Sequence, residues 1–183
     1  MESLRAHLLV ASPKLPDPNF YRTVVLMIQH TEDGALGVVL NRPTNVTVGD
    51  VWSQIAEEPC ENQQPINLGG PVEGPLLALH QQKAFSEGEV LPGVFLATQK
   101  ENLRRIISRP KRPYRLFSGY AGWGGGQLEG ELKFGGWLTV PATVDDIFAA
   151  SDELWKQVAD KIGRQILGDK LKTKHVPQDP TMN

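Results

Sequence analysis

Thr23 to Leu40 reads TVVLMIQHTEDGALGVVL. Two apolar, β-branched runs, Thr23–Ile28 and Ala35–Leu40, flank the turn signal Thr31-Glu32-Asp33-Gly34. Neither run alternates polar with apolar residues, so each reads as a strand buried on both faces. A short turn ending in glycine joins them as an antiparallel hairpin. Further strands are expected at Leu8–Ala11, Leu76–Leu79 with His80 at its end, Gly93–Ala97, Tyr114–Tyr120 and Trp137–Val140. Only two or three connections are long enough for helical crossovers. The pattern therefore predicts an α+β fold with a mixed, largely antiparallel sheet, open to barrel-like closure, rather than a doubly wound one.

The helices carry their own signals. Thr47 and Asp50 have capping-box spacing at the start of a helix over Thr47–Glu58, which would bury Val51, Trp52 and Ile55. Gln99–Ser108 places Leu103, Ile106 and Ile107 on one side and Arg104 and Arg105 on the other. Thr143 and Asp146 repeat the capping spacing. Ile147, Phe148, Ser151, Leu154, Trp155, Val158, Ala159, Ile162 and Ile166 then follow a 3.6-residue period, a C-terminal amphipathic helix. Ser12–Tyr21 holds Pro13, Pro16 and Pro18 and reads as loop. The organisation expected is one domain over residues 1–168 and a polar, frayed tail over 169–183.

The chain has 183 residues, 40% hydrophobic and 22% charged, with a formal net charge of −2. That length and apolar content exclude a wholly disordered chain. The one cysteine, Cys60, excludes an internal disulfide and any multi-cysteine zinc or iron–sulfur site. No apolar run approaches the ~18 residues of a membrane span. The run Leu8–Ala11 is too short for a signal peptide. A cytoplasmic protein without membrane contact is expected.

Eight of the 18 glycines fall in Gly119–Gly136, GYAGWGGGQLEGELKFGG. A G-x-G-x-x-G frame started at Gly122 ends on Gln127, and one started at Gly124 ends on Glu129. No G-x-x-x-x-G-K-[ST] occurs, so neither phosphate-cradling loop is present and no nucleotide cofactor is expected. Two readings remain. The glycines form a tight strand-to-helix connection leading into a short helix at Gln127–Leu132, with a positive φ expected at Gly122. Alternatively, Tyr120, Trp123, Gln127, Glu129 and Glu131 line a pocket.

Nucleophilic catalysis finds little support. There is no G-x-S-x-G, Ser118 lacks the preceding glycine of an elbow, and Cys60 sits among acids that disfavour a thiolate. His7, His30, His80 and His175 have no metal-binding spacing, and no metal is expected. His30 and His80 each end an apolar run. They read as strand-end hydrogen-bonding groups, or as ligands that meet Glu129 or Glu131 in space. Asn41-Arg42-Pro43 holds Arg42 extended at a strand end, and the hairpin brings Arg22 to the same end. That arrangement suits an anion clamp, with Asn41 also able to cap local backbone. Finally, Arg104, Arg105, Arg109, Lys111, Arg112 and Arg115 form a basic stretch uninterrupted by acid. No helix-turn-helix, RNP motif or zinc finger accompanies it, so it reads either as a solvated face or as a phosphate-contacting surface.

Four segments together resemble the bacterial YqgE/AlgH family. They are Ala11-Ser12-Pro13, Leu15, Asp17-Pro18-Asn19-Phe20 and Arg22-Thr23-Val24; His30, Gly34-Ala35-Leu36-Gly37 and Leu40-Asn41-Arg42-Pro43; Gly69-Gly70-Pro71-Val72 with Leu79-His80; and Phe117, Gly119-Tyr120-Ala121-Gly122-Trp123, Gly126-Gln127-Leu128-Glu129 and Glu131. The resemblance covers about residues 5–168 and implies a single α+β domain in a bacterial cytosol. It implies no activity and carries no catalytic residues. Some family members bear the label of transcriptional regulator. The favoured expectation is a non-enzymatic binding or regulatory protein. It would hold a small anionic ligand or a protein partner with Arg22, His30, Asn41, Arg42, His80 and the Tyr120–Glu131 loop. The alternatives are DNA contact through Arg104–Arg115, and an enzyme with Glu129 or Glu131 as general base.

Overall fold

A computed structural model describes residues 3–109 and 111–173. Its strands are β1 His7–Ala11, β2 Val24–Thr31, β3 Gly34–Val39, β4 Pro43–Thr47, β5 Pro65–Leu68, β6 Leu77–His80, β7 Gly88–Leu91, β8 Val94–Ala97, β9 Tyr114–Ser118, β10 Ala121–Gly124 and β11 Trp137–Pro141. The helices are α1 Val48–Ala56, α2 Lys100–Ile107, α3 Gln127–Phe134, α4 Val144–Phe148 and α5 Ser151–Thr173, with 3-10 turns at Pro18–Phe20 and Lys83–Phe85.

The opening hairpin is β2–β3, antiparallel, with Thr31 paired to Gly34 across the turn. It sits inside a five-stranded antiparallel sheet ordered β10-β3-β2-β1-β11. A second, six-stranded sheet is ordered β4-β5-β9-β6-β8-β7 and holds one parallel pair, β5–β9. The mixed, largely antiparallel α+β architecture is thus distributed over two open sheets, and no barrel closes among the described residues. Strand pleating divides β2 between two cores. Val24 and Leu26 face the inter-sheet core with Val38, Leu40, Leu79 and Phe117, whereas Val25 and Met27 face an outer core with Leu128, Trp123 and Trp137. Both faces are buried because both are covered. On the far side of the second sheet, α1 and α2 bury Trp52, Leu103, Ile106 and Ile107 against Ala78, Ala97 and Leu116.

Both capping boxes form, Thr47 with Asp50 and Thr143 with Asp146. Four local expectations differ from what the chain does. Ile55 is exposed, and Val48 takes its place in the core of α1. The last expected strand before the glycines ends at Ser118 rather than Tyr120, because Gly119 turns the chain at φ +72°. The C-terminal helix is two helices, since Ala149 is extended after α4. Leu154, Val158 and Ile162 of α5 are buried, whereas Ile166 and Leu167 project beyond the sheets and are exposed. The backbone of α5 continues to Thr173, and residues 174–183 of the expected tail lie outside the described residues. No helix among the described residues is long and apolar enough to cross a membrane.

Candidate functional site

Most of the candidate residues sit at the two ends of the hairpin. At the turn end, β10 pairs antiparallel with β3, Trp123 opposite Ala35, and the chain enters α3 through Gly126 at φ +75°. The expected Gln127–Leu132 helix is therefore real, and it extends to Phe134. Gly122 itself lies in β10 and is not among the positive-φ glycines, so the strain expected there falls instead on Gly119, Gly126 and Gly135.

A bulge decides where His30 points. The β2–β3 register slips by one residue between Met27 and Gln29. Unbroken alternation would turn Gln29 to the face of Met27, whereas the extra residue turns His30 there. His30 is buried, with Nδ1 accepting from Leu4 N–H at 2.9 Å and Nε2 2.7 Å from Glu129 Oε1. An acceptor role for Nδ1 puts the proton of a neutral ring on Nε2, aimed at Glu129. The Glu129 carboxyl is held below its usual range by its own backbone N–H first and by His30 second.

Glu131 is fully engaged as well. Its Oε2 accepts from Trp123 Nε1 at 3.0 Å and Trp137 Nε1 at 2.6 Å, and its Oε1 from Gln127 Nε2 at 3.1 Å. Phe20 stacks on Trp123 and meets Trp137 edge-on. Both indoles are buried, so Glu131 closes an aromatic cage rather than facing a ligand. Gln127 Oε1 takes the Gly124 N–H, and Tyr120 bridges to Val72 at the other sheet. Glu131→Ala leaves two buried indole donors without an acceptor. At ~1–3 kcal/mol for each orphaned group, a loss of about 2–5 kcal/mol is expected in urea denaturation. Glu131→Gln keeps one acceptor oxygen and is expected to lose less.

The open end of the hairpin holds Arg22, Asn41 and Arg42. Asn41 Oδ1 accepts from Val24 N–H at 2.9 Å, and its Nδ2 donates to Arg22 O at 2.8 Å. Arg42 Nη2 donates to Tyr21 O at 3.1 Å. Asn41 and Arg42 thus clamp the backbone on either side of Arg22, whose φ is +51°. The Arg22 guanidinium lies 5.3 Å from the Tyr21 ring centre and 5.4 Å from that of Trp155. It lines a cleft of about 640 Å³ with Asn41, Asp152, Glu153, Trp155 and Lys156. Arg42 does not line this cleft, so the two arginines are not a paired clamp.

His80 lies at the end of β6 in the second sheet, whereas His30 is in β2 of the first. Its Nδ1 accepts from Gln82 N–H at 3.1 Å, while Nε2 has no hydrogen-bond partner. Burial is the largest influence on its pKa and holds it below the ordinary histidine value, against the opposing Leu96 carbonyl and Glu87 carboxylate. His30 and His80 do not meet, and no group of three His, Cys, Asp or Glu side chains placed to hold a metal occurs among the described residues.

The basic stretch is divided by its surroundings. Arg115 is buried, 8% exposed, and donates to Leu40 O at 2.5 Å, Ile147 O at 3.0 Å and Asn67 Oδ1 at 2.8 Å. Burial pushes its guanidinium down to about 10, so it remains charged at neutral pH. Its polar groups are turned into the interior, unlike those of the exposed cations of the stretch. Arg104 pairs with Glu58, and Arg105 with Glu101 at 3.0 Å. Arg109, Lys111 and Arg112 are exposed and form no ion pair among the described residues. The sequence reading missed Lys83 and Phe85. Both lie beside Arg109 on a 3-10 turn for which a short polar segment gives no periodic signal.

Comparison with known proteins agrees with this fold. A family model described as AlgH-like matches residues 8–167. A UPF0301 protein of Streptomyces coelicolor is 39% identical over all of this chain and 97% of its own length. One from Thermobifida fusca is 37% identical over 99% of this chain and 96% of its own. The solution structure of the AlgH protein from Pseudomonas aeruginosa superposes with a TM-score of 0.75 at 31% identity, covering 97% of this chain and 96% of that one. A crystal structure from Corynebacterium diphtheriae gives a TM-score of 0.71 at 26% identity, with 88% of each chain covered. None of these names states an activity. By family model, relatives and fold, the chain belongs to the AlgH-like, UPF0301 family.

Proposed function

We propose that this is a binding protein whose ligand is a small anion seated in the cleft at the open end of the hairpin. The observation that carries the reading is Arg22 itself. A left-handed backbone at a non-glycine residue costs of order 1–2 kcal/mol and persists only where the surroundings enforce it. Here Asn41 and Arg42 spend their polar groups on the flanking backbone. The side chain so placed is exposed, lies within reach of two aromatic rings and forms no ion pair among the described residues. A carboxylate or phosphate accepting the planar guanidinium fork, with Lys156 beside it, suits that geometry. Asp152 and Glu153 on the same cleft favour a ligand that also carries a donor group.

The turn-end carboxylates do not support an enzymatic reading, because Glu131 is spent on the indoles and Gln127 and Glu129 on His30. Arg22→Gly tests the binding reading. It removes the guanidinium and relieves the backbone, so thermal stability is expected to hold or rise slightly. Ligand-induced changes in tryptophan fluorescence across a panel of small anions are expected to disappear. A response unchanged in Arg22→Gly would remove the cleft as the site.

A further inference from the structure

We infer a second, separate site, for the phosphate group of a small phosphomonoester, in the cleft between the Lys83–Phe85 turn and the loop after α2. This cleft, of about 380 Å³, is lined by Gln82, Lys83, Phe85, Arg109 and Arg112. It lies at the end of β6, on the second sheet, whereas the Arg22 cleft lies at the open end of the hairpin in the first.

Three observations converge there. First, cations from two distant segments line one cleft. The structure supplies carboxylates to Arg104 and Arg105 one or two turns earlier, yet leaves Lys83, Arg109 and Arg112 without an ion pair among the described residues. Second, Arg109 is positioned rather than free. The Arg109 guanidinium lies 4.7 Å from the Phe85 ring centre, and that of Arg105 lies 5.8 Å away. Phe85 is itself buried, so it offers a fixed platform that reduces the rotamer entropy lost on binding. Third, Gln82 Nε2 is buried and has no acceptor among the described residues, although its residue lines the cleft. A buried donor left unpaired is costly, and a turn of the Gln82 amide toward the cleft would let an oxyanion oxygen satisfy it.

Chemistry selects the ligand. A phosphomonoester carries nearly two charges at neutral pH and three acceptor oxygens. That matches three cations plus one amide donor better than a singly charged carboxylate does. The cleft volume leaves room for a small organic group beside the phosphate.

The test uses the full chain. Inorganic phosphate and glycerol phosphate are titrated at constant ionic strength, followed by 31P NMR and calorimetry. In the Arg22→Gly background, which removes the first cleft's guanidinium, saturable 1:1 binding is expected, tighter for the ester. Arg109→Ala and Lys83→Ala are each expected to weaken it about tenfold or more, the scale of one charge-assisted hydrogen bond. Arg164→Ala, on the exposed face of α5, is expected to leave it unchanged. Gln82→Leu separates ligation from folding. Removing an orphaned donor is expected to hold or raise the ligand-free melting temperature while phosphate affinity falls. Absence of saturation, equal loss in Arg164→Ala, or full affinity in Gln82→Leu each overturns the site. A duplex oligonucleotide that binds more tightly than the ester, with a log K against log salt slope of about −3 or steeper, overturns it in favour of a nucleic-acid backbone.

Discussion

Gly70→Ala is expected to destabilise the protein by more than ~3 kcal/mol, a large share of a typical margin of ~5–15 kcal/mol. The reason is a crossing of two backbones. Gly69 N–H donates to Ser118 O at 2.8 Å, while Val72 and Tyr120 exchange hydrogen bonds at 3.0 and 2.9 Å. A Cβ on Gly70 would penetrate the Tyr120 carbonyl carbon and oxygen, which are backbone and cannot rotate away. Its φ of +156° is also one that L side chains rarely adopt. The crossing is the seam between the sheets, because the Gly69 carbonyl accepts from Val39 N–H of β3 at 2.8 Å. Relief by local shift would therefore pull the two sheets apart. Gly122→Ala is the control from the same cluster. Its Cβ meets the Tyr120 ring edge at 3.3 Å and Val72 Cγ2 at 3.9 Å, side chains rather than backbone, and a small loss is expected. Urea midpoints of the two variants, measured side by side, check the contrast. Equal losses would show that the seam is not the constraint.

Arg115→Ala is expected to cost about 3–5 kcal/mol, the range seen when one partner of a buried charged network is removed. Arg115 ties β9 to the end of β3 through Leu40 O, to β5 through Asn67 and to the end of α4 through Ile147 O. Truncation leaves those acceptors buried and unpaired, and leaves a void against Phe117, whose ring centre lies 5.8 Å from the guanidinium. Arg115→Lys keeps a charge but offers a point donor where the network uses a fork, so an intermediate loss is expected. Equilibrium denaturation orders the three proteins. A neutral Arg115→Ala would mean that the carbonyls find other donors. The same measurement guards the nucleic-acid question, since any loss of DNA retention in Arg115 variants reports on folding rather than on contact.

These two residues show how unevenly the fold was legible. The hairpin, both capping boxes and α2 could be read because their signals are local: β-branched runs around a turn, a hydroxyl three residues from a carboxylate, a period of 3.6. The strands that escaped, β4, β5, β7 and β10, are short, proline- or glycine-bearing, or polar. Β10 reads AGWG, a poor strand by propensity. It is a strand because β3 supplies its hydrogen-bonding partner, and a partner far along the chain leaves no periodic trace. The C-terminal periodicity was real but spanned a break, since Ala149 leaves helical geometry without disturbing the apolar spacing.

The site residues divide along the same line. That Arg22, Asn41 and Arg42 leave the hairpin together follows from strand pairing alone, and the structure places all three at its open end. That Glu131 is consumed by two indoles, and that His30 faces α3, follows from a bulge and from the docking of α3 on the sheet. Arg115 looked like one cation of a basic run. In Tyr114-Arg115-Leu116-Phe117 the pleat sends Arg115 and Phe117 to one face and Tyr114 and Leu116 to the other, and here both faces are interior. Short-range forces, hydrogen bonds and sterics within a few residues, are written into neighbouring letters, so the sequence by itself determined the hairpin, the caps, the breakers and the family. Which face of each element is covered, and which charge finds a partner, depends on elements distant in the chain. Only the packing of two sheets against each other and their helices decided that Gly70 must be glycine, that Arg115 is interior, and that Lys83 joins Arg109 and Arg112 around one cleft.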